Sequence, residues 1–337
     1  MAREENLVTV FGYGPTGAAT VEALRSRGTP VRVVQRRRPA DLPAGVDFMA
    51  CDVLKPDDVK RAMSGAAQAV IAIGFEYRSS IWRAAWPKAI AALIAAAGAA
   101  AGAANARVVF IDNMYMYGPQ DAALHEDLPL TTYGRKPAVR AQVTRMWQQA
   151  AREGRVRWAT LRAPDFYGPG VRNSHMGDSG LARIAQGKAA QVLMSPDMPH
   201  AFAYVPDIGR AAVTLLDAPD DAFNQVWHVP CAQAKSARAM LQIGVDAAGV
   251  KLKMMAMPTL MLRALGMFAP MMRELIEMRF TWNRPYHVDA TKFARRFWSD
   301  ATPFEVGIPA TVRSFRPEIT QSPITSGGHA PAAAATQ

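Results

Sequence analysis

Cysteine is almost absent from this chain of 337 residues: there are two, Cys51 and Cys231. Two isolated thiols build neither a disulfide framework nor a structural zinc site, so a reducing cytoplasm is the expected setting. No group of His, Cys and carboxylates has metal-ligand spacing, and no Gly-x-Ser-x-Gly elbow suggests a hydrolase. Strongly apolar runs are missing too. The uncharged stretch AIAALIAAAGAAAGAANA at 89–106 is mostly alanine with two glycines. A membrane span needs about 20 strongly apolar residues, whereas alanine favours an ordinary helix packed on a sheet. The opening MAREENLVTVFGYG leads from charged residues straight into a strand, without an apolar signal region. Acidic residues are outnumbered, 28 against 39 Lys and Arg, for a net charge of +11. That excess attracts phosphates. The basic residues are scattered and no DNA- or RNA-binding motif occurs, so a small molecule is the expected partner, not nucleic acid or membrane.

What is present is an alternation. Short β-branched runs at 7–11, 31–35, 46–52, 69–74, 107–112 and 157–164 read as strands. Helical patterns fall between them at 16–27, 55–64, 84–104 and 136–153. Continuous apolar strands separated by helices predict an α/β fold: a Rossmann-type, doubly wound parallel sheet. The Rossmann domain is expected over 1–170, with returns from about 200–230, among them VWHVP at 226–230. A smaller substrate lobe is expected over 171–316 and a disordered tail over 317–337. The Met-rich stretch 258–280 has helical spacing and reads as core, or as an adaptable apolar wall over a substrate.

The strongest local motif is FGYGPTG at 11–17, which follows a strand and opens a helix. Gly12 allows the tight turn, Gly14 lets a pyrophosphate approach the backbone, and Gly17 lets helix and strand pack closely. Pro15 and Thr16 begin the helix, whose free N–H groups and dipole favour an anion. An acidic residue about 20 positions on usually binds the adenosine ribose. Here Gln35 stands there, followed by Arg36, Arg37 and Arg38. Guanidinium groups pair with a 2′-phosphate that a carboxylate would repel, so NADP(H) is expected in preference to NAD(H). Asp52 and Val53, after the third strand, are placed to contact adenine.

With these landmarks the chain resembles an extended short-chain dehydrogenase/reductase, of the NAD-dependent epimerase/dehydratase family. Besides FGYGPTG and Asp52, the resemblance rests on MYG at 116–118, LRAPDFYGPG at 161–170, HAFAYVPDIGRA at 200–211 and YHVDATKFARRF at 286–297. It covers about 1–315 and implies a cleft between Rossmann domain and substrate lobe. It also implies hydride transfer assisted by a Tyr whose phenol a nearby Lys lowers, with a Ser or Thr bonding the substrate oxygen. The sequence departs from that pattern. Tyr133 and Lys136 are three apart in TTYGRKPAVRAQ, and Pro137 occupies the family's Lys position. Pro137 disfavours helix at Lys136, which predicts Tyr133 in a loop before the helix. Asn113 stands where the family carries its Ser or Thr; an amide still donates to a carbonyl but relays no proton. Tyr115 and Tyr117 lie nearby as alternative acids. By resemblance, Asp165, Phe166 and Tyr167 lie near the nicotinamide and substrate, with Arg172, Asn173, Ser174 and His175 following. His200 replaces the family's Arg, and Tyr204 its His.

The expected function is therefore NADP(H)-dependent carbonyl reduction. Tyr133 or an adjacent Tyr gives the proton, Lys136 orients the ribose, and Asn113 polarises the carbonyl. Two alternatives stand beside it: a nucleotide-sugar epimerase or dehydratase with retained NAD(P), and a non-catalytic NADP-binding sensor. A homodimer through the helices at 84–104 and 136–153 is the family-level expectation.

Overall fold

A computed structural model describes residues 6–100, 106–193, 195–256 and 270–316. Its centre is a seven-stranded parallel sheet. Six strands come in the first half: β1 (Val8–Phe11), β2 (Val31–Gln35), β3 (Asp47–Ala50), β4 (Gln68–Ile71), β5 (Arg107–Asp112) and β6 (Arg157–Arg162). The seventh, Gln225–His228, returns from the second half and pairs with β6, as the VWHVP reading expects. The spatial order is Gln225–His228, β6, β5, β4, β1, β2, β3. β1 therefore lies between β2 and β4, and the winding reverses there. That switch point opens a crevice at the carboxyl ends of the strands.

Strand alternation sends side chains to two helical layers. Val8, Val10, Val31 and Val33 pack with α1 (Pro15–Arg25) and the helix Val205–Asp217 on one face. Phe11, Val34, Ile71 and Phe110 pack with α2 (Pro56–Met63), α3 (Ser79–Ala100) and α4 (Lys136–Arg152) on the other. The alanine-rich helix starts at Ser79, before the expected 84, and carries Pro87 inside it. No helix among the described residues is long and apolar enough to cross a membrane. A separate core, including Leu181, Phe202, Met240, Leu241 and Ile308, lies beyond residue 165. Of the Met-rich stretch, 270–280 is described, as the helix Pro270–Glu277 and the turn Arg279–Thr281; the rest and the tail 317–337 lie outside the described residues.

Candidate active site

The glycine-rich turn has the shape its motif demands. Gly12 has φ +92°, and a Cβ there would fall 2.6 Å from the carbonyl oxygen of Ala72. A Cβ on Gly17 would fall 2.1 Å from the carbonyl oxygen of Gly12, so helix and turn meet backbone to backbone. Gly14 is the N-cap of α1 and has no neighbour within 4 Å of a Cβ position. Pro15 has no N–H, and those of Thr16 and Gly17 have no partner within the helix, so they face outward for an anion. A cleft of about 870 Å³ opens here, lined by Gly12, Gly14, Gln35, Arg36, Arg37, Asp52 and Val53. Arg36 and Arg37 are exposed and form no ion pair among the described residues. Gln35 is occupied locally: its Oε1 accepts from the Tyr13 N–H at 3.1 Å, and its Nε2 donates to the Arg37 carbonyl at 2.8 Å. Asp52 Oδ1 accepts from the Leu54 N–H at 3.0 Å, which holds the turn after β3. These residues fit a nicotinamide dinucleotide: a backbone cradle for the pyrophosphate, a polar turn for the adenosine and free guanidiniums at its edge.

Beyond the turn lies a smaller pocket of about 160 Å³, lined by Thr16, Asn113, Tyr115, Asp165, Phe166 and Tyr286 among others. Asn113 turns its Oδ1 inward to accept the Tyr115 N–H at 3.0 Å, which leaves its amide NH2 for the pocket. Tyr115 stacks on Trp82. Burial pushes its phenol well above the usual range, Asp165 adds to that, and Tyr77 and Arg140 oppose it. Asp165 Oδ2 lies 2.9 Å from His200 Nε2. Below the pocket, Asp112 forms a buried ion pair with Arg140, whose guanidinium lies 3.9 Å from the Trp86 ring.

Tyr133 and Lys136 line neither cavity. Gly134, at φ +63°, turns the chain between them, and α4 begins at Lys136 with Pro137 in its first turn. Tyr133 is therefore in the loop, 43% exposed, with its ring against Phe280. Lys136 is fully buried. Its ammonium pairs with Glu274 and Glu277 and lies 4.6 Å from the Tyr77 ring centre.

Two other tyrosines are structural. Tyr117 is 1% exposed. Its hydroxyl accepts from Arg162 at 2.5 Å and lies 2.7 Å from His228 Nε2, while His228 Nδ1 donates to the Asp289 carbonyl. Burial and Arg162 push His228 down to about 3, so the ring is neutral and its Nε2 accepts a hydrogen bond from Tyr117. Tyr167 packs against Tyr204 and Phe304 in the second core, away from the pocket. Sequence reasoning missed Tyr77, Glu274 and Glu277. Tyr77 had a signal, since it follows β4 at the ligand-binding end of the sheet; the two glutamates had none.

The family model described as "NAD dependent epimerase/dehydratase family" matches residues 8–229. No curated protein matches the chain in sequence. Among solved structures, the chain is similar to the UDP-glucose 4-epimerase of Thermus thermophilus in complex with NAD. Identity is 18%, coverage 93% of this chain and 100% of that one, and TM-score 0.72. It is similar to the Bordetella bronchiseptica enzyme WbmH in complex with NAD+, at 16% identity, with 92% and 98% covered and TM-score 0.69. It is also similar to the UDP-glucuronic acid 4-epimerase of Bacillus cereus in complex with NAD, at 13% identity, with 92% and 98% covered and TM-score 0.73. At these identities the likeness is one of fold.

Proposed function

The chain belongs to the NAD dependent epimerase/dehydratase family, and from that premise we propose that it acts on a nucleotide sugar, by the reversible oxidation of a hydroxyl-bearing carbon that underlies epimerisation and dehydration. One observation carries the reading. The phosphate cradle and the pocket of Asn113, Tyr115 and Asp165 lie on either side of the same turn, with Gly12 and Gly14 facing one and Thr16 the other. A bound nicotinamide supplies hydride acceptance and return. The chain's own residues do the rest. The N–H groups at the start of α1 hold the pyrophosphate. The Asn113 amide donates to the substrate oxygen, and Tyr115, protonated at neutral pH, is a second donor. The likeness to solved UDP-glucose and UDP-glucuronic acid 4-epimerases supports the nucleotide-sugar class. Incubation with NAD+ and either sugar, followed by proton NMR of the anomeric region, is the test. A new anomeric doublet is expected, and no change in either sugar overturns the sugar reading.

A second reading is favoured by Arg36 and Arg37. Free guanidiniums on the adenosine side, with Gln35 in place of a carboxylate, support NADP(H) over NAD(H). An exchangeable NADPH suits carbonyl reduction better than a retained cofactor does. Steady oxidation of NADPH, but not NADH, with a carbonyl panel and without sugar turnover would select this reading.

A further inference from the structure

Two imidazoles converge on one carboxylate at the pocket wall. His200 Nε2 lies 2.9 Å from Asp165 Oδ2, and His175 Nε2 lies 3.8 Å from the same oxygen. The strand Asp165–Tyr167 pairs in parallel with Phe202–Tyr204, Phe202 opposite Asp165, and His200 stands two residues before Phe202 with its ring against it. Aromatic rings fix both imidazoles: His200 is stacked on Tyr286 at 4.8 Å, and His175 meets Trp282 at 4.5 Å. The Asp165 side chain is 17% exposed and lines the pocket, and no donor among the described residues reaches its Oδ1. One carboxylate oxygen is anchored while the other is left for a ligand. Tyr115 lines the same pocket, and burial keeps its phenol protonated, so it has a proton to donate.

We infer that Asp165, positioned by His200, takes and returns the proton of the substrate hydroxyl, while Tyr115 donates a hydrogen bond to the same oxygen. The inference rests on the proposed chemistry at a hydroxyl-bearing carbon. On oxidation, the substrate O–H bond breaks and its proton moves to Asp165 Oδ1. The electron pair left on oxygen closes the C=O bond as the C–H pair departs as hydride to the oxidised nicotinamide dinucleotide. On reduction the same proton returns, so Asp165 ends as it began. The neighbours set the protonation states this requires. Burial disfavours charge on Asp165, but His175 and His200 outweigh it and hold the carboxyl below its ordinary range. Burial keeps His175 neutral near pH 7 and keeps Tyr115 and Tyr286 protonated, and Tyr77 is protonated as well. Two groups whose environments push their protonation apart mark an acid–base site.

Two measurements test this. The first uses the wild-type chain alone, with carbon-13 in Asp carboxyls and nitrogen-15 in His rings. The Asp165 carboxyl is expected to be ionised at pH 7, with the His200 ring signals moving when it is protonated. A carboxyl protonated at pH 7 overturns the inference, because a neutral acid cannot take a proton. The second uses whichever of UDP-glucose and UDP-glucuronic acid the wild type converts. Asp165→Asn is expected to lower kcat about a thousandfold, with dinucleotide affinity, read by NADPH fluorescence, nearly unchanged. His200→Gln is expected to move the acid limb of the kcat profile to higher pH with little change in KM. Activity in Asp165→Asn close to wild type, or an unmoved profile in His200→Gln, overturns the inference. If the wild type converts neither sugar, the sugar reading fails and the carboxyl titration decides the inference alone.

Discussion

The ammonium of Lys136 lies 3.1 Å from the carboxylate of Glu277, 141 residues away in sequence. Glu274 pairs with the same ammonium, and its Oε2 accepts from the Ser79 hydroxyl at 2.6 Å. Glu277 also accepts from the backbone N–H groups of Arg135 and Lys136. The helix Pro270–Glu277 thus fastens the starts of α3 and α4, and Lys136 is the charge that makes this possible.

Replacing Lys136 should therefore be a stability defect before it is a catalytic one. Lys136→Met leaves two carboxylates facing each other with their counter-charge gone, and breaking a buried pair this way costs about 3 kcal/mol. Urea unfolding is expected to show that loss while NADPH affinity stays nearly unchanged. An unaltered unfolding midpoint with lost dinucleotide binding would instead put Lys136 at the cofactor.

Acid should destabilise the fold in two stages. His228 is fully buried and pushed down to about 3, so the unfolded chain takes its proton first. Its contribution is fully present above about pH 6.5 and is lost toward about pH 3, by up to about 1.4 kcal/mol per pH unit. Burial works against Glu274 and Glu277, but hydrogen bonds and the Lys136 charge leave both below their ordinary range. Their contribution is present above about pH 4.5 and is lost as the pH falls through their depressed values. Urea melts between pH 7 and 4 are expected to weaken steadily in the wild type and less steeply in His228→Gln. A flat wild-type profile would contradict this.

Two glycines of the turn should separate folding from binding. Gly17→Ala places a methyl 2.1 Å from the Gly12 carbonyl oxygen and is expected to destabilise the chain outright. Gly14→Ala meets nothing within 4 Å and is expected to melt near the wild type. Its methyl would stand where the pyrophosphate approaches, so dinucleotide affinity is expected to fall about tenfold or more, 1.4 kcal/mol at least. Thermal melts beside NADPH titrations check both.

The fold was readable because its signals are local. β-branched runs, Gly12-x-Gly14-x-x-Gly17 and the VWHVP return each lie within a few residues of one another, and the sheet assembles them in the expected parallel way. Asn113 and Asp165 were readable because both follow sheet strands at the ligand-binding end. The surroundings of Lys136 were not. Its partners lie 138 and 141 residues away, within the Met-rich stretch that reads as core or as an apolar wall. Tyr117 and Tyr167 carry the right chemistry at plausible spacings, yet buried contacts with His228, Arg162 and Phe304 turn them away.

Coenzyme preference is expected to follow the arginines after β2. A charged hydrogen bond is worth about 1.5–3 kcal/mol, so Arg36→Ala or Arg37→Ala should weaken NADPH about tenfold or more and leave NADH nearly unchanged. Equal losses for both dinucleotides would place these side chains on the shared pyrophosphate, and no loss would make them a solvated turn.

The most direct test is calorimetric titration of the purified chain with NAD+ and with NADPH at low salt. Saturable binding of at least one dinucleotide is expected, weakened in Gly14→Ala while the variant stays folded. No heat from either at millimolar concentration, or equal binding by Gly14→Ala, would contradict a phosphate cradle at the start of α1.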